Sequence, residues 1–128
     1  MSNAAIRLTI AAAIVVAALA GVTARQAPAA KKAYFIAEVE VTNAQQYGEY
    51  AKLSPGVIEK FGGRFVARGG RVATLEGPPA AGRLVVVEFP SFERAQAFYD
   101  SAEYQTIRKL RVGAATFRLR LGGQVHRV

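Results

Sequence analysis

The side chains of this sequence that could do chemistry are arginines, tyrosines and glutamates. An arginine guanidinium suits a carboxylate or phosphate ligand, and a buried glutamate with a raised pKa can act as a general base. The set consists of Tyr34, Arg64, Arg68, Arg71, Glu76, Arg83, Glu88 and Tyr104. The candidate ligand-binding residues taken from this set are Tyr34, Arg64, Arg68, Glu76, Glu88 and Tyr104. For each of them the alternative is an ordinary salt bridge or an edge-strand charge.

Other kinds of site lack the residues that they need. The chain has no cysteine, and its single histidine, His126, lies close to the C-terminus. Zinc sites, histidine-ligated haem and Ser-His-Asp triads are therefore disfavoured, and we expect neither a metal nor a cofactor. Ser54, Ser91 and Ser101 are interpreted as helix caps.

Two glycine pairs, Gly62-Gly63 and Gly69-Gly70, alternate with the arginines Arg64, Arg68 and Arg71. A phosphate-binding loop would need its glycines between a strand and the start of a helix, where backbone N–H groups converge on the anion. Here the first pair follows a predicted helix and the second interrupts predicted strands. The pattern therefore favours a cap and a bend rather than a phosphate loop.

Hydrophobic periodicity places these residues in an α+β domain. Residues 33–41 alternate as a half-buried strand, and a helix with an Asn43–Gln46 capping box follows and is kinked or split at Ser54-Pro55. Further strands are predicted at 64–68, 83–89 and 116–121, and residues 72–76 are expected to continue or return the strand at 64–68. Two more helices are predicted to begin at Pro90-Ser91 and at Asp100. This order predicts a ferredoxin-like βαββαβ fold with a four-stranded antiparallel sheet.

The sheet face that points away from the helices combines apolar and charged residues. In this topology the first strand lies between the third and the fourth, so that Glu38 and Glu40 are expected beside Glu88 on one side and the Arg118 and Arg120 pair on the other. Ile36, Leu84 and Val86 share the face. Such a face is too apolar for solvent and too charged for a dry core, and we expect a second copy of the chain to cover it.

Residues 1–30 have the layout of a secretory signal, with a basic residue, the apolar run 10–20 and small residues after it. We predict that this leader is removed on export to the periplasm or the medium, which leaves a domain of residues 31–128. The alternative is an uncleaved membrane anchor, although the run is short against the about 20 residues of a span.

The formal net charge of +8 suits anionic partners. Export disfavours nucleic acid, so that the expected partners are a second copy of the chain and a small anionic molecule. Contact with a membrane is expected only through the leader, if it is retained.

Two blocks of the chain resemble a known family. GGRFVARGGRVATLEG and RLVVVEFPSFERAQAFYDSAEYQTIRKLR are similar to the family of domain of unknown function 1330, and the similarity covers nearly all of residues 33–125. The resemblance implies the dimeric α/β-barrel superfamily, in which two ferredoxin-like sheets pack face to face. Related families there include cofactor-independent monooxygenases, lactone isomerases and haem-dependent enzymes, with a pocket between sheet and helices. The leader is a departure from typical members.

Two classes of function follow. The first is an exported homodimeric module that binds a small molecule or assists another protein. The second is a cofactor-independent enzyme of the monooxygenase or isomerase type that acts on a small anionic or aromatic molecule. A deep pocket with a partly buried Arg64 or Arg68 beside Glu76 or Tyr34 would favour the enzyme, whereas a filled core would favour the binding module.

Overall fold

The computed structural model of the protein describes residues 31–124. The predicted leader and His126 lie outside the described residues. Within residues 31–124, no helix is both long and apolar enough to cross a bilayer.

Residues 31–124 form four strands and three α-helices in the predicted order. The strands are β1 (Ala33–Val41), β2 (Arg64–Arg68), β3 (Arg83–Phe89) and β4 (Ala115–Gly123). The helices are α1 (Ala44–Lys60), α2 (Phe92–Asp100) and α3 (Ala102–Arg108), and a 3₁₀ turn (Lys109–Arg111) extends α3. The ferredoxin-like α+β prediction is confirmed.

The four strands form one antiparallel sheet in the order β2-β3-β1-β4. Glu38 of β1 lies opposite Arg118 of β4, and their side chains form an ion pair at 3.4 Å, as predicted. The prediction for Glu88 is wrong in detail, because Glu88 lies opposite Tyr34 rather than beside Glu38. Arg120 likewise lies opposite Ile36.

Helix α1 begins and ends as the sequence predicts but is not split. The Asn43 side chain accepts from the Gln46 N–H, and Gly62, with φ +80°, ends the helix with Gly63 N–H donating to the Ile58 carbonyl. Proline has no N–H, so Pro55 leaves the Ala51 carbonyl without its usual helical donor.

The Arg68 guanidinium from β2 donates to the Ala51 carbonyl at 3.3 Å. A tertiary contact therefore replaces the hydrogen bond that Pro55 removes, and the helix is continuous through Ala44–Lys60.

Three local predictions need correction. Residues 72–76 form no strand and belong to an exposed connection between β2 and β3. The helix predicted to begin at Asp100 is instead capped by Ser101, which was itself interpreted as a cap and whose hydroxyl accepts from the Tyr104 N–H at 3.1 Å. Ser54 is buried inside α1 and caps nothing.

The core lies between the sheet and the helices and is rich in rings. Phe98 of α2 contacts Phe89 at 5.2 Å and Tyr104 at 4.4 Å between ring centroids, and Phe35 contacts both Phe89 and Phe98. Such pairs stabilise beyond the area that they bury, by about 0.5–1.5 kcal/mol each. Phe92, the first residue of α2, lies outside this core and is 44% exposed.

Candidate ligand-binding cavity

A cavity of about 510 Å³ separates α1 from the inner face of the sheet. Its volume falls within the range of about 300–1,000 Å³ that is typical of small-molecule sites. Its aromatic lining residues are Phe35, Tyr47, Tyr50, Phe65, Phe98, Tyr104 and Phe117. Its aliphatic lining residues are Ala37, Val39, Ala51, Ile58, Val85, Val87 and Leu119, and Ser54, Gly69, Gly70, Arg68 and Arg83 complete it. The core is therefore not filled.

A β-bulge places Arg68 at this cavity. Simple alternation along β2 would put Arg68 on the same face as Arg64. The register shifts between Phe65 and Ala67, so that the extra residue, Val66, moves Arg68 opposite Val85 and onto the helix side. There its guanidinium lies over the Phe65 ring at 4.4 Å.

Arg68 and Arg83 are the exposed, charged part of the lining, and the buried tyrosines Tyr50 and Tyr104 lie deeper. Among the described residues that line the cavity, no carboxylate opposes the two arginines. Burial raises the pKa of Tyr47, against the opposite effect of the nearby charges of Arg83, Arg68 and Arg111. The mouth is therefore positively charged, while Tyr47 keeps its hydroxyl proton at neutral pH.

A hydroxyl pair and a buried arginine form the inner end. The Tyr50 and Tyr104 hydroxyl oxygens lie 3.3 Å apart, and Arg111 donates to the Tyr104 hydroxyl at 3.4 Å. The Arg111 guanidinium stacks on Phe117, with its carbon 3.6 Å from the ring centroid. Burial, and then the neighbouring Tyr104, raises the pKa of Tyr50, so that Tyr50 remains a neutral donor.

The structure brings only two of the six candidate residues to the cavity, namely Arg68 and Tyr104. Arg64, Glu88 and Tyr34 lie on the opposite face of the sheet. Glu76, like Arg71, lies in the exposed connection between β2 and β3. The candidate set is therefore divided by the sheet itself.

Glu88 forms the centre of a small ion-pair network on the outer face. Its Oε1 lies 3.0 Å from Lys32 Nζ and 3.0 Å from Arg64 Nε. The hydrogen bond from Lys32, supported by that from Arg64, holds the pKa of the Glu88 carboxyl below its usual range against the raising effect of desolvation. Arg64 is thus paired with a carboxylate, whereas no carboxylate in the described part of the chain pairs with Arg68.

Sequence reasoning did not assign Tyr47, Tyr50 or Arg111 to a site. Tyr47 and Tyr50 have the spacing of core aromatics on a helix, and they do pack with Phe117. A usable signal was the seven-residue separation of Tyr104 and Arg111, which places two polar groups on one helical face. Within residues 31–124, no three histidine, cysteine or acidic side chains come together as metal ligands would.

Solved structures with the same fold were found. The RPA0582 protein of unknown function from Rhodopseudomonas palustris is 22% identical, with a TM-score of 0.61, and the match covers 76% of this chain and 85% of that chain. SnoaB, a cofactor-independent oxygenase from Streptomyces nogalater, is 12% identical, with a TM-score of 0.47 and coverage of 77% and 97%. A search of curated proteins found no match.

The family comparison covers most of the sequence. Residues 32–122 match the model of a family described as Domain of unknown function (DUF1330). This range includes all four strands except the last residue of β4, and every lining residue of the cavity. The protein is therefore a member of the DUF1330 family.

Proposed function

We propose that the protein binds a small aromatic anion in the cavity between α1 and the sheet. The observation that carries this proposal is the lining itself, which is apolar and ring-rich and whose charged members are the arginines Arg68 and Arg83. Arg68 lines the cavity but is exposed, and neither Glu76 nor Tyr34, one of which the enzymatic alternative requires beside it, lines the cavity. We therefore favour binding over catalysis.

The physical case rests on burial and charge together. Transfer of an aromatic ring from water into such a cavity is favourable by about 25 cal/mol per Å² of apolar surface. A carboxylate on that ring would meet guanidinium donors at the mouth, where a charge-assisted hydrogen bond contributes about 1.5–3 kcal/mol. A neutral ligand of the same shape gains only the first contribution.

Calorimetric titration with 2-naphthoate and with the neutral 2-naphthalenemethanol tests the proposal. We expect the wild type to prefer the carboxylate, and the Arg68→Met variant to lose about tenfold or more in affinity for it. Arg64→Met is the matched control, because Arg64 lies on the other face and pairs with Glu88. Equal affinity for both compounds, or equal effects of the two variants, would overturn the proposal.

We further propose that the domain acts as an exported homodimer. Support for self-association is the mixed apolar and charged outer face of the sheet, and support for export is the signal-like pattern of residues 1–30. The intact mass of the protein recovered from its native cell envelope tests export, and a full-length chain there would contradict leader removal.

A further inference from the structure

Among residues 31–124, the partners of the Tyr50–Tyr104 pair leave one of its hydroxyl protons unused. The two hydroxyls contain two donor protons, and the bond between them uses one. Arg111 is a donor only, so its contact with the Tyr104 oxygen accepts no proton. Whichever tyrosine donates to the other, one O–H remains for an acceptor.

This remaining donor lies at the cavity, since both tyrosines line it. Both are buried, so that an O–H without an acceptor would be costly there, by about 1–3 kcal/mol. A ligand oxygen in the cavity would satisfy it.

Arg111 adds a positive charge behind the pair. The residue is only 8% exposed, and within residues 31–124 its Nε has no hydrogen-bond partner and no carboxylate pairs with it. Its guanidinium carbon lies 3.6 Å from the centroid of the Phe117 ring and 5.3 Å from that of the Tyr50 ring. Buried charges are normally compensated, and a negative charge near the hydroxyl pair would compensate this one.

The position of Arg111 is fixed from α1. The Gln46 side-chain amide donates to the carbonyls of both neighbours of Arg111, Leu110 at 3.1 Å and Val112 at 2.9 Å. The backbone on each side of Arg111 is thus tied to the helix that carries Tyr50. This arrangement holds the arginine in place before any ligand arrives, which reduces the cost of ordering it.

We propose that Tyr50, Tyr104 and Arg111 form an oxyanion subsite at the inner end of the cavity, which binds a phenolate or enolate oxygen of the ligand. This inference rests on the proposed binding function and adds the chemistry of the ligand's inner end. The ligand class is then a hydroxyaromatic or enolisable compound whose second polar group faces Arg68 and Arg83 at the mouth. Tyr50 and Tyr104 touch the ligand, and Arg111 acts through Tyr104 as a positioning residue.

Two probes that differ only at the inner end test the subsite. They are 6-hydroxy-2-naphthoate and 2-naphthoate, measured against the wild type and the Tyr50→Phe, Tyr104→Phe and Arg111→Lys variants. We expect the wild type to bind the hydroxylated probe about tenfold more tightly and to lower the pH at which its hydroxyl ionises, as read from its absorption spectrum. Each tyrosine variant should lose this preference and keep its affinity for 2-naphthoate.

Tyr99→Phe is the matched control, because Tyr99 contacts the Tyr104 ring at 5.5 Å but does not line the cavity. Thermal unfolding of every variant shows whether it is folded. Arg111→Lys removes the guanidinium but keeps the positive charge. Binding of 2-naphthoate without preference for the hydroxylated probe overturns the subsite and leaves the proposed function standing. Failure of both probes to bind overturns the proposed function and the subsite together.

Discussion

At the residue scale, the two ion pairs of Glu88 make the stability of the outer face dependent on pH. Lys32 and Arg64 both bind its Oε1 at 3.0 Å, and they lower its pKa in the folded state. A carboxyl with a lowered folded pKa stabilises the fold fully above its unfolded pKa. That contribution is lost as the pH falls through the folded value.

The Glu88→Gln variant should therefore show a flatter acid limb, which means that its free energy of unfolding falls less steeply at acidic pH. We expect the wild-type free energy of unfolding to fall as the pH drops below the ordinary glutamate range, and the variant to fall less. Urea unfolding across acidic pH measures both. Glu49→Gln, in an exposed pair with Lys52, is the control and should keep the wild-type limb. Parallel limbs for wild type and Glu88→Gln would show that Glu88 does not carry the effect.

The residue types of the site could be predicted from the sequence, but not their grouping. Because the chain has no cysteine and its one histidine lies near the C-terminus, arginine and tyrosine remain as the candidate residue types. Arg68 and Tyr104 do line the cavity. The separation of Arg68 from Arg64 depends on the bulge at Val66, which has no signal in the alternating pattern RFVAR. Periodicity assigns a residue to a face only while the ladder stays regular.

At the element scale, helix caps and hydrophobic alternation predicted the features that depend on neighbouring residues. The errors arose where contacts with distant parts of the chain determine the structure. Pro55 suggested a broken helix, yet the donor that restores the Ala51 carbonyl comes from Arg68 in another element. Val72 and Thr74 alternate like strand residues but pair with no strand, and they follow two residues of positive φ, Gly69 and Gly70. Neither outcome can be derived from the local sequence alone.

Two glycine-to-alanine substitutions, one inside α1 and one at its end, should change the free energy of unfolding in opposite directions. Gly62 has φ +80°, and a Cβ there would lie 2.9 Å from Pro90 Cγ, so Gly62→Ala should lower the free energy of unfolding by about 1 kcal/mol or more. Gly56 lies inside the same helix, and a Cβ added there would meet no atom from outside that helix within 4 Å, so Gly56→Ala should raise it by roughly 0.5–1 kcal/mol. Denaturant unfolding compares them, and a stabilising Gly62→Ala would refute the role of Gly62 as the cap.

At the scale of the whole molecule, the two faces of the sheet have different surroundings. The inner face forms the cavity, and the outer face exposes Ile36 at 43% and Val66 at 46% beside Leu84 and Val86. Charges of both signs, Glu38 and Arg118 among them, border these apolar groups. A face of this kind is complementary to itself under a twofold axis, because each acidic group can meet a basic group of the other copy.

The homodimer is the prediction that belongs to this scale. Light scattering at micromolar concentration should give twice the monomer mass, and Ile36→Lys should give the monomer, because a second positive charge would be buried in the interface beside Arg120, which lies opposite Ile36. Leu75→Lys is the control, since Leu75 is 92% exposed in the connection between β2 and β3 and away from the sheet.

Binding measurements on the same variants separate the two faces. The cavity lies on the helix side, so monomeric Ile36→Lys should still bind 2-naphthoate if the outer face serves association alone. A wild-type monomer at micromolar concentration would contradict the dimer. A dimer whose disruption also abolishes binding would show instead that association and the cavity are coupled through β1, whose Phe35 and Ala37 line the cavity on either side of Ile36.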